Sequence, residues 1–558
     1  MRNLLTISIG PVQEFIAAAR KTADLQAGSN LLQCLACEAA NYVGGYGELI
    51  FPSSTAEGGA NKILVLLHED QDPKVVAREC RKRLKRKLME CWQAVLNQLP
   101  AGTIDEELAN NQVKNFLEFY AAWMPLDDEA WMPLDDEVDY PAIRQELERL
   151  LAGRKALRDF KQPLSFPDRF KSPLDPSRDT VILNHAKLKS CLQLKESEYL
   201  DAISVLKRYA GMPDDPLKHC FPNSPALGRR SQVPSTSEMA FRSLELRLEG
   251  SANPIPSLER LKDFANKHNI EPSTIVFANR LEELAEDGTL EPEEIAAAHE
   301  LHSRFLKEFG EVFPYYAILA ADGDRMGQIL STLRKPEAHR TFSAQLAQFA
   351  KKARDIVDQH GGYCIYTGGD DVLALLPLET VIECADDLNQ AFRQQLQSLN
   401  LPNDLGTLSV GIAICHRMEP LSIALEAARN AEKAAKRCRN ALAISAHPRS
   451  GSNITVVDSW GKSPYTDWQN SKQALRHGLA RGFPYELQQL ARQWEGVQSH
   501  PRLPERLKNE AQRILDRKKD TSGTARQSIG AAIEQIQCVD DLKTLADRLA
   551  IAHFLTRS

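Results

Sequence analysis

The stretch Tyr366-Thr-Gly-Gly-Asp-Asp-Val-Leu-Ala-Leu-Leu-Pro377 places two adjacent aspartates after two glycines and before an apolar run. The apolar runs GGYCIY and VLALLP flank the glycine-aspartate segment, and this pattern predicts two strands joined by a tight turn. Gly and Asp both favour turns, so the tetrapeptide alone is also compatible with an ordinary hairpin. Two like charges side by side at a hairpin tip still require a physical reason, which must come from the surrounding sequence.

The segments around this hairpin predict the element order βαββαβ, which is the ferredoxin-like plan. YYAILAADGD leads into RMGQILSTL before the hairpin, and CADDLNQAFRQQLQSL, TLSVGIAIC and PLSIALEAARNAEKAAKR follow it. The N-terminal part begins with the same order, since LLTISIG leads into PVQEFIAAARK, and the turn-rich SSTAEGGA joins ELIFP to NKILVLL. We therefore predict an α+β protein that contains two ferredoxin-like domains.

Four domains are predicted within the 558 residues. They are a first ferredoxin-like domain at 1–164, a mostly helical domain at 165–308, a second ferredoxin-like domain with the GGDD segment at 309–455, and a C-terminal helical bundle at 456–558. The octapeptide AWMPLDDE occurs twice in tandem, at 122–129 and 130–137. Such a duplication is tolerated best in an exposed loop, so we expect one between the strand-like FLEFYAAW and the helix-like YPAIRQELERLL.

The composition narrows the classes of protein that fit. A net charge of −6 argues against binding nucleic acid by bulk electrostatics alone, so any such contact is local or shared with partners. No apolar run approaches the roughly 18 residues of a membrane span, and the N-terminus shows no signal peptide, which predicts a cytoplasmic protein. Eleven scattered cysteines suit reduced thiols. The possible zinc ligands are His185, Cys191, His219 and Cys220, besides the single CxxC at Cys34 and Cys37. A structural zinc site is not expected, because the first four residues lack the paired Cys-x-x-Cys spacing of such sites and no second CxxC follows the single one.

The ferredoxin-like order predicts where the acids meet. Its first and third strands are central antiparallel neighbours, so the end of the first strand lies beside the turn that precedes the third. Asp322 and Asp324 should therefore meet Asp370 and Asp371 at one edge of the sheet. Carboxylates packed this closely repel one another unless a cation neutralises them, and hard oxygen ligands suit Mg²⁺, or Mn²⁺ in its place. The cluster predicts a metal-dependent phosphoryl-transfer site.

Further residues are candidates for nucleotide contacts. Gly368 and Gly369 lack a Cβ, which lets a nucleotide approach the turn and permits positive φ. On the last helix of the second domain, Lys436 or else Lys433 could reach triphosphate oxygens, although a solvated helix lysine is the plain alternative.

The first domain has no comparable acids and cannot bind two metals in the same way. It could still supply a pocket for a second nucleotide in the stretch TADLQAGSNLL. Gly28 and Ser29 are the candidates there, with Ser29 as a helix cap the alternative interpretation.

An ordered set of motifs runs along essentially the whole chain. These are IGPVQEFIAAARKTADLQAGSNLL, RKALRDF, VPSTSEMA, YYAILAADGDRMGQIL, YTGGDDVLALLP, LSVGIAICH and AKRCRNALAI followed by RSG. With this set, the chain resembles the large Palm-domain subunit of type III CRISPR effector complexes, in particular the Cmr-type (III-B) branch. The same framework is similar to the GGDEF diguanylate cyclases.

The resemblance implies a two-Palm subunit that, once target RNA is bound, converts ATP into cyclic oligoadenylates for antiviral defence. It implies metal ligands at Asp322, Asp370 and Asp371, and nucleotide contacts at Gly368, Gly369, Ser409 and Lys436. The implied partners are CRISPR RNA, target RNA, the small subunit, the subunit that binds the RNA 5′ handle, and the backbone subunits.

Two departures from the family stand out. The sequence opens on the first Palm and contains no His-Asp dipeptide, so we predict no HD-type DNase activity. The paired cysteines that often bind zinc between the Palms are missing, which again argues against structural zinc.

Three alternatives remain at this level. The subunit could be a catalytically quiet scaffold that anchors RNA and neighbouring subunits, or a cyclase that joins AMP to a different acceptor. A diguanylate cyclase is disfavoured, because the motif reads GGDDV and no sensor domain is evident.

Overall fold

A computed structural model gives the fold. The structure describes residues 2–55, 60–126, 140–157, 164–212, 217–222, 233–249, 255–286, 289–399, 401–402, 405–497, 500–518 and 521–557. Among these residues, no helix combines the length and the apolar composition that crossing a bilayer requires.

The first ferredoxin-like domain alternates strands with long helices. Its elements are β1 (Asn3–Gly10), α1 (Gln13–Ala17), α2 (Thr22–Gly44), β2 (Gly47–Phe51), β3 (Lys62–Leu67), α3 (Pro73–Leu96), α4 (Glu106–Phe116), β4 (Glu118–Pro125) and α5 (Tyr140–Ala156).

The middle region is helical in its regular elements, as predicted. It contains α6 (His185–Lys189), α7 (Ala202–Ala210), α8 (Leu217–Cys220), α9 (Thr236–Glu249), α10 (Pro256–Lys267), α11 (Pro272–Val276), α12 (Asn279–Glu286) and α13 (Pro292–Glu308).

The second ferredoxin-like domain carries the GGDD hairpin. Its elements are β5 (Tyr315–Gly323), α14 (Met326–Thr332), α15 (Pro336–Gln359), β6 (Tyr363–Gly368), β7 (Asp371–Leu376), α16 (Val381–Leu396), β8 (Leu408–His416), α17 (Leu421–Cys438), β9 (Ala441–His447) and β10 (Ile454–Ser459). The C-terminal helices are α18 (Pro464–Arg476), α19 (Phe483–Gln493), α20 (Leu503–Asp516), α21 (Gly523–Glu534) and α22 (Val539–Arg557).

Both sheets have the ferredoxin-like strand order. The first is ordered β2-β3-β1-β4, and the second β10-β9-β8-β5-β7-β6. Counted within each domain, the first four strands are ordered 4-1-3-2 in both, and the second sheet adds two strands beside its fourth. The central pairs β1·β3 and β5·β7 are antiparallel, which brings the end of the first strand next to the hairpin turn. The predicted fold class is confirmed.

The core shows why these strands form a sheet that is buried on both faces. Tyr316 and Ile318 of β5 pack into the apolar cluster that continues through the first domain and the middle helices. Ala317 and Leu319 point the other way, into a second cluster with α15, α16 and the end of α22. This alternation fixes which face each residue at the end of β5 occupies.

Two predicted boundaries differ from the structure. The first four residues of the AWMPLDDE repeat, 122–125, are the last residues of β4 and pair with β1, so the predicted loop begins later. Residues 127–137 of the repeat lie outside the described residues. At the other boundary, β10 pairs with β9 across position 455, and the second sheet therefore extends to Ser459.

Candidate active site

Three carboxylates meet at the edge of the second sheet. Asp322, Asp370 and Asp371 each offer an oxygen, and these oxygens lie within 4.8 Å of one another. All three side chains are partly buried. Among the described residues this is the one group of three or more Asp, Glu, His or Cys side chains with such spacing. The predicted convergence of strand end and hairpin is therefore present in the fold.

The strand register explains the convergence. Ala321 pairs with Val372 in the β5·β7 ladder, so Asp322 and Asp371 are one residue beyond the last pair and share one face. The turn between β6 and β7 is short, with Gly369 at φ +78 and Gly368 paired with Asp371. Positive φ at the first central residue is what a tight type II′ hairpin turn requires. The predicted positive φ is confirmed for Gly369.

The two aspartates of the hairpin have raised pKa values, mainly because they are buried. Burial, and next the charge of Asp371, raises the pKa of Asp370 from 3.8 to about 7. Burial raises the pKa of Asp371 to about 6. Both carboxyl groups therefore release their protons less readily than ordinary aspartates, and a nearby cation would reverse this effect.

Helix α17 presents a lysine and a glutamate to the cluster. The ammonium of Lys436 forms an ion pair with Asp322, and its Nζ lies 4.0 Å from Oε1 of Glu432. Burial and the neighbouring Arg439 lower the pKa of Lys436. Burial and then the charge of Asp371 raise the pKa of Glu432. Glu432 is a fourth acid at the site that the sequence reasoning missed; its position one turn before Lys436 was the available signal.

Asp324 does not join the cluster, so the expectation of four converging acids is wrong. Its Oδ2 accepts hydrogen bonds from the Thr407 hydroxyl (2.8 Å) and the Asn440 backbone N–H (2.8 Å), and its Oδ1 accepts from the Ser409 hydroxyl (2.7 Å). Asp324 is 2% exposed and Ser409 is fully buried. Asp324 therefore ties the end of β5 to β8 and to the turn after α17. Ser409, expected to contact a nucleotide, instead holds this aspartate.

Two glycines allow the elements of the site to pack closely. A Cβ on Gly323 would lie 2.9 Å from Cβ of Asp370, so the strand end and the hairpin touch only because that atom is missing. A Cβ on Gly411 of β8 would lie 2.0 Å from the backbone nitrogen of Glu432, which shows how closely α17 packs on the sheet.

Gly368 has a different role from the one predicted. The space that its Cβ would fill contains the phenol of Tyr366, whose oxygen would lie 1.8 Å away, rather than room for a nucleotide. At Gly369 the corresponding space is open apart from Leu346 at 3.9 Å, and nucleotide approach there stays a prediction.

Gly28 and Ser29 are buried within α2, which corrects both interpretations made from the sequence. Helix α2 begins at Thr22, so Ser29 is not a cap. The missing Cβ of Gly28 makes room for Lys207, whose Cε would lie 2.9 Å from it, and the Ser29 hydroxyl accepts a hydrogen bond from Gln33 at 3.0 Å. Neither residue offers a surface to a nucleotide.

A cavity of about 400 Å³ opens instead at the end of β1, at the position in the first domain that corresponds to the acid cluster. Its walls include Ser8, Asn61, Lys62, Tyr120 and Lys155. The side-chain amide of Asn61 donates to the Tyr366 hydroxyl at 3.5 Å, so this cavity borders the GGDD hairpin.

Three of the four residues considered for zinc make other contacts. His185 lies 3.1 Å from the Lys195 carbonyl oxygen through Nε2, and the Cys191 thiol donates to the Leu188 carbonyl at 3.5 Å. Cys220 is buried in α8, next to Cys91. His219 belongs to the same short helix.

Two family models match parts of the chain. The second palm domain of Cas10/Cmr2 matches residues 315–443, which include the acid cluster and α17. The N-terminal segment of the CRISPR-associated protein Cmr2 matches residues 4–72, which include β1 and β3. Both matches fall on the two ferredoxin-like domains.

Individual proteins agree with the family models. The Cmr2 subunit of the Pyrococcus furiosus CRISPR Cmr system is 28% identical over 313 residues, which cover 49% of this chain and 35% of that protein. The match thus spans about a third of the length of that curated relative. A chain of the type III-B Cmr-beta complex superimposes with a TM-score of 0.65 in the apo state at 13% identity, covering 94% of this chain and 78% of the other. A chain of the same complex bound to cognate target RNA superimposes with a TM-score of 0.63, also at 13% identity. This match covers 94% of the present chain and 80% of the other. These structural matches support the fold.

Proposed function

The chain belongs to the Cas10/Cmr2 family, and on that premise we propose that it is a metal-dependent nucleotidyltransferase that makes cyclic oligoadenylates from ATP when target RNA is bound. The observation that carries this proposal is the convergence of Asp322, Asp370 and Asp371 within 4.8 Å. In the reaction, the 3′-hydroxyl of one ATP attacks the α-phosphorus of another, a phosphodiester forms, and pyrophosphate leaves.

The donor set fits Mg²⁺ or Mn²⁺. Three carboxylates offer hard oxygen ligands. Burial raises the pKa values of Asp370 and Asp371, with the charge of Asp371 as a second cause for Asp370, and a bound cation would offset this effect. A metal bound there would lower the pKa of the attacking hydroxyl and balance charge on the transferred phosphoryl group. Asp322, Asp370 and Asp371 are the proposed ligands, and Glu432 would support them from α17.

Lys436 has two positions in the proposed cycle. In the structure its ammonium is paired with Asp322. When a nucleotide enters, we expect Lys436 to leave Asp322 for the triphosphate oxygens, which frees that carboxylate as a ligand. The open face of Gly369 would border the same nucleotide.

A second ATP would sit in the cavity at the end of β1. Lys62 and Lys155 both line this cavity, together with Glu118, and the Lys62 ammonium is paired with Glu148. Burial together with Lys62 lowers the pKa of Lys155. Two neighbouring cations suit a triphosphate. This assignment replaces Gly28 and Ser29 as the contacts of the second nucleotide.

The proposed setting is a type III effector complex. One of the similar structures is a Cmr-beta complex bound to cognate target RNA, and we extend that kind of partner to this chain. The proposed partners are CRISPR RNA, target RNA, the small subunit, the subunit that binds the RNA 5′ handle and the backbone subunits. The lack of HD-type DNase activity stays a prediction.

The Lys436–Asp322 ion pair favours one alternative, a quiet scaffold, because a site that never binds metal would keep this pair. Turnover of ATP by the assembled complex distinguishes the two. The complex with cognate RNA, Mg²⁺ and labelled ATP should form pyrophosphate and a product whose ring size mass spectrometry gives. The same product analysis would reveal AMP joined to a different acceptor, and GTP in place of ATP tests a guanylate cyclase.

The decisive variant is Asp370→Ala with Asp371→Ala. Its matched control is Asp386→Ala with Asp387→Ala, the other adjacent aspartate pair of this domain, on α16. We expect the first pair to abolish product formation and the control to retain it. Equal product from both variants would reject this site.

A further inference from the structure

Helix α3 carries a charge opposite to that of the whole chain. Its 24 residues include eight Lys or Arg and two Glu, a net charge of +6 in a protein whose net charge is −6. The acids are Glu79 and Glu90, and both are engaged with basic residues of the same helix. The positive charge is therefore concentrated on one element.

The helix is amphipathic, and the basic residues occupy its outer face. Cys80, Leu84, Leu88 and Trp92 are buried against the first domain. On the other side, the side chains of Arg78, Lys82 and Arg86 are 57%, 65% and 63% exposed. These three recur every four residues, so they form one row with a rise of about 6 Å between neighbours. That spacing suits successive phosphates of an extended nucleic-acid strand.

An aromatic pocket borders this basic face. A cavity of about 460 Å³ is lined by Glu38, Asn41, Tyr42, Gly45, Tyr46 and Arg83. The rings of Tyr42 and Tyr46 are partly exposed, with centroids 5.2 Å apart. Arg83 of α3 links the pocket to the basic face, since its guanidinium lies 5.6 Å from the centre of the Tyr42 ring and its Nε donates to Glu38 at 2.5 Å.

We propose that the outer face of α3 and the Tyr42–Tyr46 pocket form a binding surface for single-stranded RNA. Arg78, Lys82 and Arg86 contact phosphates, and an unpaired base enters the pocket against Tyr46. A groove that combines basic residues with aromatic rings is how proteins bind single strands without reading their sequence.

The pocket is what favours RNA over an acidic protein partner. Lysine and arginine alone would attract either one. Aromatic rings next to a row of cations match alternating bases and phosphates, whereas an acidic peptide offers no flat ring to stack. A pocket open on its outer side also leaves room for a base.

The test is fluorescence anisotropy of the full-length protein with a labelled single-stranded RNA, measured over a range of salt concentrations. The variant Arg78→Ala/Lys82→Ala/Arg86→Ala removes three phosphate contacts. We expect its Kd to rise by at least about tenfold, and the slope of log K against log salt to become shallower by about 2, at roughly 0.7 per contact for single strands.

The matched control, Arg506→Ala/Arg513→Ala/Arg517→Ala, removes the same charge from exposed positions near and on α20. Its Kd should stay within about twofold of that of the unchanged protein. Tyr46→Leu should weaken binding about tenfold with an unchanged salt slope, and Tyr46→Trp should restore it. Thermal unfolding of each variant verifies that it folds.

Three outcomes would overturn the proposal. The first is no RNA binding at low salt, and the second is an α3 variant whose Kd matches that of the α20 control. The third is a Tyr46→Leu protein with unchanged RNA affinity, from which polyglutamate displaces RNA at equal charge concentration. The last outcome would assign the surface to an acidic protein. None of these outcomes depends on ATP turnover.

Discussion

Asp370 and Asp371 are adjacent in the sequence, and folding makes the ionisation of both side chains less favourable. The pKa of Asp370 rises from 3.8 to about 7 and that of Asp371 to about 6. A carboxyl group whose pKa is higher in the folded chain favours folding while protonated and opposes it once ionised. The penalty therefore begins above about pH 4 and is complete above about pH 7.

This sign gives the first prediction, for Asp370→Asn without divalent cations. At pH 7.5 the variant should have a higher Tm than the unchanged protein, by at least about 2 °C, because one opposed charge is gone. The difference should vanish at pH 4. Added Mg²⁺ should raise the Tm of the unchanged protein and have less effect on the variant. The exposed Asp263→Asn serves as control in differential scanning calorimetry, and a variant that is less stable at pH 7.5 would contradict the prediction.

Asp324 lies two residues after Asp322, just beyond the end of β5, and it acts differently because its carboxylate is satisfied by three donors. Asp324→Ala leaves those donors without an acceptor, and we expect a loss of stability of roughly 3 kcal/mol. The Tm increase caused by Mg²⁺ should persist in the variant. If Asp324→Ala instead abolished that increase and left stability intact, Asp324 would be a metal ligand.

The spacing of aspartates in the sequence could not separate these two roles. Asp322 and Asp324 alternate in the same pattern that a strand imposes, and both were expected at the cluster. What distinguishes them is the backbone after Gly323, where the chain leaves the sheet, and the donors on Thr407, Ser409 and Asn440. Those donors come from segments more than 80 residues away, and no pattern in the sequence around Asp324 predicts them.

Helix α17 is the element that delivers Lys436 and Glu432, and its distance from the sheet is set by Gly411. A Cβ there would lie 2.0 Å from the Glu432 nitrogen, so Gly411→Ala must push the helix outward. We expect a loss of about 1–3 kcal/mol of stability. Because a displacement of about 1 Å can cost a factor near 100, ATP turnover should fall more than tenfold.

The control is Gly327→Ala on α14, where a Cβ would meet nothing within 4 Å. That variant should keep its activity and its Tm. Calorimetry and the ATP assay of the assembled complex measure both variants. Full activity of Gly411→Ala would show that the position of α17 does not matter.

At the level of elements, alternation and turn chemistry were enough to predict most of the second domain. YYAILAADGD, the GGDD turn and the following apolar run indicated β5, β6 and β7 correctly, and the plan of the fold then gave their neighbours. Strands β9 and β10 lie beyond the predicted βαββαβ order, and both were missed. The segment ITVVDS of β10 is half polar and is stabilised by pairing with β9. Its assignment depends on a partner strand that sequence periodicity does not reveal.

At the scale of the whole molecule, the two ferredoxin-like domains are joined by polar contacts near the hairpin. Arg354 of α15 donates to the Thr367 hydroxyl in β6 at 2.7 Å and to Gln33 of α2 at 3.2 Å. Gln33 in turn donates to Ser29. The stretch TADLQAGSNLL is therefore connected to the hairpin through Gln33 and Arg354. The sequence indicated this region correctly, but Ser29 supports the hairpin through these hydrogen bonds and has no surface for a nucleotide.

A second contact between the domains involves two buried side chains, the Tyr140 hydroxyl of α5 and Nδ1 of His339 of α15, which are 2.8 Å apart. Burial, and next the charge of Arg144, lowers the pKa of His339 from 6.5 to about 3. Between about pH 6.5 and 3, His339 is therefore protonated in the unfolded chain and neutral in the folded chain. The free energy of unfolding must then fall as the pH falls through this range.

The contact between Tyr140 and His339 should thus make the junction of the two domains sensitive to acid. His339→Asn removes the titrating group, and the dependence of the unfolding free energy on pH should become shallower by up to about 1.4 kcal/mol per pH unit below pH 6.5. The exposed His500→Asn should leave the slope unchanged. Denaturant unfolding at several pH values between 4.5 and 7.5 measures both. If the two variants showed the same slope as the unchanged protein, His339 would have to be accessible to protons in the folded state, and the two domains would have to separate without unfolding.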